Sequence, residues 1–122
     1  TIESATDNCS PSSRLWFWNN GNYYSDNNPS GGKSYWLKMS SDCSLSITGK
    51  RLSIDTLPQL IPGWNLIGAP SSAVDISSVI GNCKIQRGPY WFDTTRNVYV
   101  QSSILDPGHG YFIKVSDTCK LG

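Results

Sequence analysis

Few residues of this chain could carry out catalysis, and their spacing argues against it. His109 is the sole histidine, and a catalytic base must lie within hydrogen-bond reach of the proton it takes. It falls in the turn Pro107-Gly108-His109-Gly110, with no serine or cysteine at a recognisable nucleophile elbow, so it reads as a turn residue. Aspartates such as Asp26, Asp42, Asp93 and Asp106 are scattered singly through loops. Glycoside hydrolysis needs two carboxyl groups facing each other across a cleft, and no pair is nominated. Asp7, Asp26, Asn27 and Asp42 are loop oxygens of the kind calcium takes, but the Asp-x-Asp-x-Asp-Gly run of a dedicated calcium loop is absent. The expectation is a chain that is not an enzyme, with no metal and no cofactor.

The chemistry that remains belongs to aromatic rings. Five tryptophans, six tyrosines and three phenylalanines are many for 122 residues. Side chains alternate along an extended strand, which puts Trp16 and Trp18 opposite Leu15 and Phe17, and Trp91 opposite Tyr90 and Phe92. By the same rule Trp36 shares a face with Lys38, and Phe112 with Lys114, so that face is expected to be wet. Exposed rings stack on sugars or pack against another protein. The candidate ligand contacts are Trp16, Trp18, Tyr23, Tyr24, Trp36, Trp91 and Tyr99. The competing reading for any one of them is core packing.

The elements that would position these rings are written twice. Ile2, Ser4, Asn8 and Cys9 match Ile76, Ser78, Asn82 and Cys83 at an offset of 74. Asn22 and Tyr24 match Asn97 and Tyr99 at 75, and the run from Tyr35 to Cys43 matches Tyr111 to Cys119 at 76. Self-similarity of this kind marks an internal repeat. The expected units are residues 1–57 and 58–122, packed as one compact domain. Four cysteines allow three connectivities; the repeat favours Cys9–Cys43 and Cys83–Cys119, each closing an equivalent loop. A four-cysteine zinc site is the rival, but no Cys-x-x-Cys pair is present. Units of roughly 60 residues are short of a self-sufficient core, so disulfides are expected to staple them.

Leu15-Trp16-Phe17-Trp18 and Tyr23-Tyr24 flank Asn20-Gly21, the strongest short-range hairpin signal. Pro89 to Asp93 and Asn97 to Gln101 predict a second hairpin about Thr94-Thr95-Arg96, and a further one is expected about residues 48–50. Strands are expected over Ser34–Met39, Gly63–Pro70 and Tyr111–Val115. One short helix is expected over Ser72–Gly81, with serine as cap and Gly81 as stop. The first unit has no counterpart of Gly63–Pro70. Three explanations stay open: an upstream strand lies outside this sequence, a linker strand around Ile47 or Ile54 substitutes, or a neighbouring chain supplies it.

Disulfides imply an oxidising compartment, and the sequence predicts an extracellular or cell-surface location. The formal charge of +1 and dispersed basic residues argue against nucleic acid as a partner. No apolar run approaches the ~20 residues of a membrane span, so no membrane insertion is expected.

Gly63-Trp64-Asn65-Leu66-Ile67-Gly68, an aromatic hairpin, and Leu105-Asp106-Pro107-Gly108-His109-Gly110-Tyr111-Phe112 together resemble a β module repeated in large secreted and cell-surface proteins of bacteria and archaea. The resemblance covers residues 63–115 and implies architecture rather than activity, because such modules accompany catalytic, adhesive or stalk domains alike. The expected fold is all-β: two tandem-duplicated antiparallel units forming a sandwich-like domain, one short helix and two disulfides. The expected function is non-catalytic binding of a polysaccharide or cell-surface glycan, or adhesion. The alternative is a structural subunit or spacer of a surface appendage, assembled with other chains by strand or edge pairing.

Overall fold

The computed structural model describes residues 11–26, 28–29, 33–43, 53–54 and 57–122. In chain order the strands are β1 (Leu15–Asn19), β2 (Asn22–Asp26), β3 (Gly63–Gly68), β4 (Val74–Asp75), β5 (Ile85–Asp93), β6 (Val98–Gln101), β7 (Ile104–Leu105) and β8 (Gly110–Val115). The described chain is mostly β, and its named strands pair antiparallel.

Asn20 and Gly21 adopt φ of 49° and 84°, the doubly left-handed turn that matches strand twist and that few other residue pairs tolerate. It joins β1 to β2 in the register Leu15↔Asp26 to Asn19↔Asn22. The second hairpin, β5–β6, runs through a four-residue turn closed by Asn97 at φ 57°. Within it the Asp93 carboxylate accepts from the Thr95 N–H at 3.0 Å and the Arg96 Nε at 2.8 Å. Cross-strand partners include Trp16↔Ser25 and Trp18↔Tyr23 in the first hairpin and Tyr90↔Gln101 and Phe92↔Tyr99 in the second.

The main sheet has the order β3-β8-β5-β6. Alternation on β8 is clean: Tyr111, Ile113 and Val115 are buried, while Phe112 and Lys114 are half-buried. The buried face meets Leu57, Leu60, Ile67, Leu105 and Leu121 in one core. Cys83 and Cys119 are joined by a disulfide within it. No described cysteine is free; the expected Cys9–Cys43 pairing involves Cys9, which lies outside the described residues, as do Ile47 and the expected turn at 48–50.

Two motif residues prove to be locks. The Asn65 side chain accepts from the Ile61 N–H at 3.0 Å and donates to the Ile61 and Gly63 carbonyls at 2.9 and 3.1 Å, which fastens the entry to β3. The Tyr111 hydroxyl accepts from the Asp106 N–H at 2.8 Å, closing the Pro-Gly-His-Gly loop onto the strand that follows it.

Two expectations require correction. The helix over 72–81 is only a 3₁₀ turn, Ile76–Ser78, preceded by β4. A helix this short has a costly nucleus, and its backbone is drawn elsewhere: Asp75 caps the Ser77 N–H at 2.9 Å, and the Ile76 N–H donates to Ser103 O at 2.7 Å. The strand over Ser34–Met39 is instead a series of isolated bridges, Lys33↔Ile67, Trp16↔Trp36 and Pro11↔Met39. Between the last two, the Lys38 N–H bonds the Ser13 Oγ at 3.0 Å, so a side chain replaces a ladder carbonyl. Ile54 packs against the core, and Lys33 bridges to Ile67 of β3.

Candidate binding groove

The second face of the main sheet carries the candidate site. Directly opposed residues of an antiparallel pair share a face, so the registers Leu66↔Phe112 and Phe112↔Tyr90 place these side chains in one row. Trp64↔Lys114 and Lys114↔Arg87 form the next. Instead of lying wet, this face is roofed in part by the first unit. The Trp18 Nε1–H donates to the Trp64 carbonyl at 3.2 Å, and its ring meets Phe112 at 6.0 Å and 81°. Trp36 meets Phe92 at 5.3 Å and 70°.

Two adjoining hollows result. The smaller, about 360 Å³, is lined by Trp18, Trp64, Tyr90, Tyr99 and Phe112 alone. The larger, about 510 Å³, shares Tyr90, Tyr99 and Phe112 and adds Trp36, Trp91, Phe92 and a polar rim of Asp93, Thr94, Thr95 and His109. Both fall within the ~300–1,000 Å³ typical of small-ligand sites. A further hollow of about 130 Å³ lies between Trp18, Lys33 and the Pro58–Ile67 stretch.

Of the seven sequence candidates, Trp18, Trp36, Trp91 and Tyr99 line these two hollows. Trp16, Tyr23 and Tyr24 are not among the lining residues, though they are 39 %, 47 % and 47 % exposed. Tyr23 packs edge-on against Trp18 at 4.9 Å, and Tyr24 lies tilted at 32° against Phe17 at 5.8 Å. Trp64, Tyr90, Phe92 and Phe112 also line the hollows and are not among the seven, although alternation already placed Phe112 on the same face as Lys114. Trp64 stands in the short apolar run Gly63–Pro70, whose composition alone does not distinguish a core-facing ring from one on the other face. The signal was there: Trp64 alternates with Ile67's phase, so it faces away from the core.

The rings do not form a coplanar row. Phe112 meets Trp18, Trp64 and Tyr99 at 81°, 88° and 71°, so the walls of the smaller hollow stand across one another. At the rim, the hydrogen bond from Arg96 holds the Asp93 carboxyl below its ordinary pKa, with backbone bonds acting in the same direction. Burial raises the Tyr99 phenol, and the neighbouring Tyr23 adds to that. The Trp36 Nε1–H is buried with no partner among the described residues. An unpaired buried donor costs about 1–3 kcal/mol, and an acceptor on a bound molecule would remove that cost.

His109 packs against Trp91 at 4.9 Å and Tyr111 at 6.2 Å, as part of an aromatic stack. Among the described residues no group of histidine, cysteine or carboxylate side chains is arranged to hold a metal ion, and no helix is long and apolar enough to cross a membrane. The arrangement suits binding: apolar walls, a polar edge and one donor without a partner. No family model, curated protein or solved structure matches this chain.

Proposed function

We propose that this chain is a non-catalytic extracellular binding module whose aromatic groove takes carbohydrate. The observation that carries the reading is the larger hollow, where Trp36, Phe92 and Tyr99 adjoin Asp93, Thr94 and Thr95. Sugars present apolar C–H faces to rings and hydroxyls to polar groups, and this groove offers both partners side by side. An oxidising location agrees with the Cys83–Cys119 disulfide. Duplication into two units, each with its own disulfide and packed sandwich-like, agrees with the pairing: Trp16↔Trp36 corresponds to Tyr90↔Phe112 at the offsets read from the sequence. The likeness to repeated bacterial and archaeal surface modules is consistent with such a role.

Electrophoresis through gels containing a panel of polysaccharides tests the reading. At least one glycan is expected to retard the protein. Trp36→Ala should abolish the retardation, whereas Trp16→Ala, outside the hollows, should leave it intact. Uniform mobility in every gel, or equal loss in both variants, would overturn the carbohydrate assignment.

A second reading, a structural subunit or spacer joined by edge pairing, is favoured by the bridge between Lys33 and Ile67, which stands isolated among the described residues where a full ladder would close the junction. It predicts association that grows with protein concentration in sedimentation velocity runs.

A further inference from the structure

The smaller hollow has a property that a sugar platform does not need. Its five lining residues are all aromatic, and Phe112 meets three of them at 71° to 88°. A flat sugar ring is best served by one or two parallel faces; a box of crossed rings grips a compact group from several sides. The compact group that aromatic boxes bind by a specific force is a quaternary ammonium, drawn to the negative faces of the rings.

The charges beside the box sharpen this. Trp64 lies directly across from Lys114, and Lys114 across from Arg87. Opposed side chains sit about 4.5–5.5 Å apart at Cβ, so Lys114 borders the Trp64 wall, and Arg87, at a β-bulge on the next strand, stands beyond it beside Lys114. Neither makes an ion pair among the described residues, where the single such pair is Arg96 with Asp93. A bare organic cation would be repelled by them. A ligand that carries its own anion next to its ammonium would be held at both ends.

We propose that this box and its basic border form a site for a phosphocholine-type zwitterion, the trimethylammonium among Trp18, Trp64, Tyr90, Tyr99 and Phe112, the phosphate toward Lys114 and Arg87. The site adjoins the carbohydrate subsite through Tyr90, Tyr99 and Phe112, so a glycan bearing this substituent would occupy both. The proposal does not depend on the carbohydrate reading, because the small molecule alone is the probe.

Binding is read from tryptophan fluorescence during titration with phosphocholine, choline and glycerol phosphate, since Trp18 and Trp64 are box walls. Phosphocholine is expected to bind tightest. Tyr99→Leu, at an exposed wall, should weaken it roughly tenfold. Lys114→Gln should weaken it about threefold while leaving choline unaffected or slightly improved. Circular dichroism melts of both variants establish that they are folded. Co-sedimentation with phosphatidylcholine vesicles tells a lipid headgroup from a soluble or glycan-borne source. The proposal is overturned if phosphocholine leaves the fluorescence unchanged, if glycerol phosphate binds equally well, or if folded Tyr99→Leu binds like the parent. A neutral oligosaccharide that fails to bind while phosphocholine succeeds would sink the carbohydrate reading alone.

Discussion

Single side chains hold the loops that shape this molecule. Tyr111 is 1 % exposed, and its hydroxyl serves the Asp106 N–H. Removing that acceptor in Tyr111→Phe strands the amide and is expected to cost about 1 kcal/mol in urea unfolding at neutral pH. Burial, chiefly, raises the Tyr111 pKa, the Asp106 charge adds to this, and the Asp106 backbone hydrogen bond opposes it. The folded protein therefore keeps this proton after the unfolded chain has lost it. Its contribution is fully present below the unfolded tyrosine value of about 10 and is lost as pH rises through the higher folded value. Stability measured from about pH 9 to pH 12 should fall less steeply in Tyr111→Phe than in the parent. Parallel slopes would refute the linkage. The turn role of Asn20-Gly21 was legible because it depends only on local φ. The role of Asn65 was not: its partner Ile61 is four residues back, and nothing in the composition marks a side chain that caps a strand entry.

Elements followed the sequence where their signals were local and departed from it where partners competed. Both hairpins form where alternation and turn residues place them. The two turns differ in length, two residues between β1 and β2 and four between β5 and β6, and the register follows: Trp18 pairs with Tyr23, Phe92 with Tyr99. The 72–81 segment fails as a helix since Asp75 and Ser103 claim its backbone. Where the 33–43 stretch meets the main sheet, Gly110 of β8 lies against Ser34, and a Cβ at Gly110 would run into the Ser34 side chain. Gly110→Ala is therefore expected to destabilise by about 1–3 kcal/mol through overpacking. Adding Ser34→Gly removes the obstructing atoms, so the double variant should be clearly more stable than the two separate losses imply. Simple additivity in thermal melts would show that the seam is looser than the geometry indicates.

Taken whole, the protein uses the two faces of its main sheet differently. One face supports the core of Leu60, Ile67, Leu105, Tyr111, Ile113 and Val115. The other leaves rings half-covered around the groove. The Cys83–Cys119 bridge spans 36 residues, a loop for which chain entropy predicts about 4 kcal/mol. Replacing both cysteines by serine should lower the urea midpoint accordingly without a large change in groove binding, because neither cysteine lines the hollows. Loss of binding in a variant that still melts cooperatively would mean that the bridge also positions the groove.

The sequence by itself determined the strand-rich class, the Asn-Gly hairpin, the alternation on β8 and the oxidised Cys83–Cys119 pair, because each rests on local φ preferences, period-two burial or matched cysteine positions. It also nominated Trp18, Trp36, Trp91 and Tyr99. Only the tertiary structure decided which aromatics share a groove. Trp18 reaches Trp64 across 46 positions and Phe112 across still more, and no pattern along the chain encodes that encounter. It depends on how the β1–β2 hairpin lies over the main sheet, and that is set by packing between faces rather than by the order of residues within either.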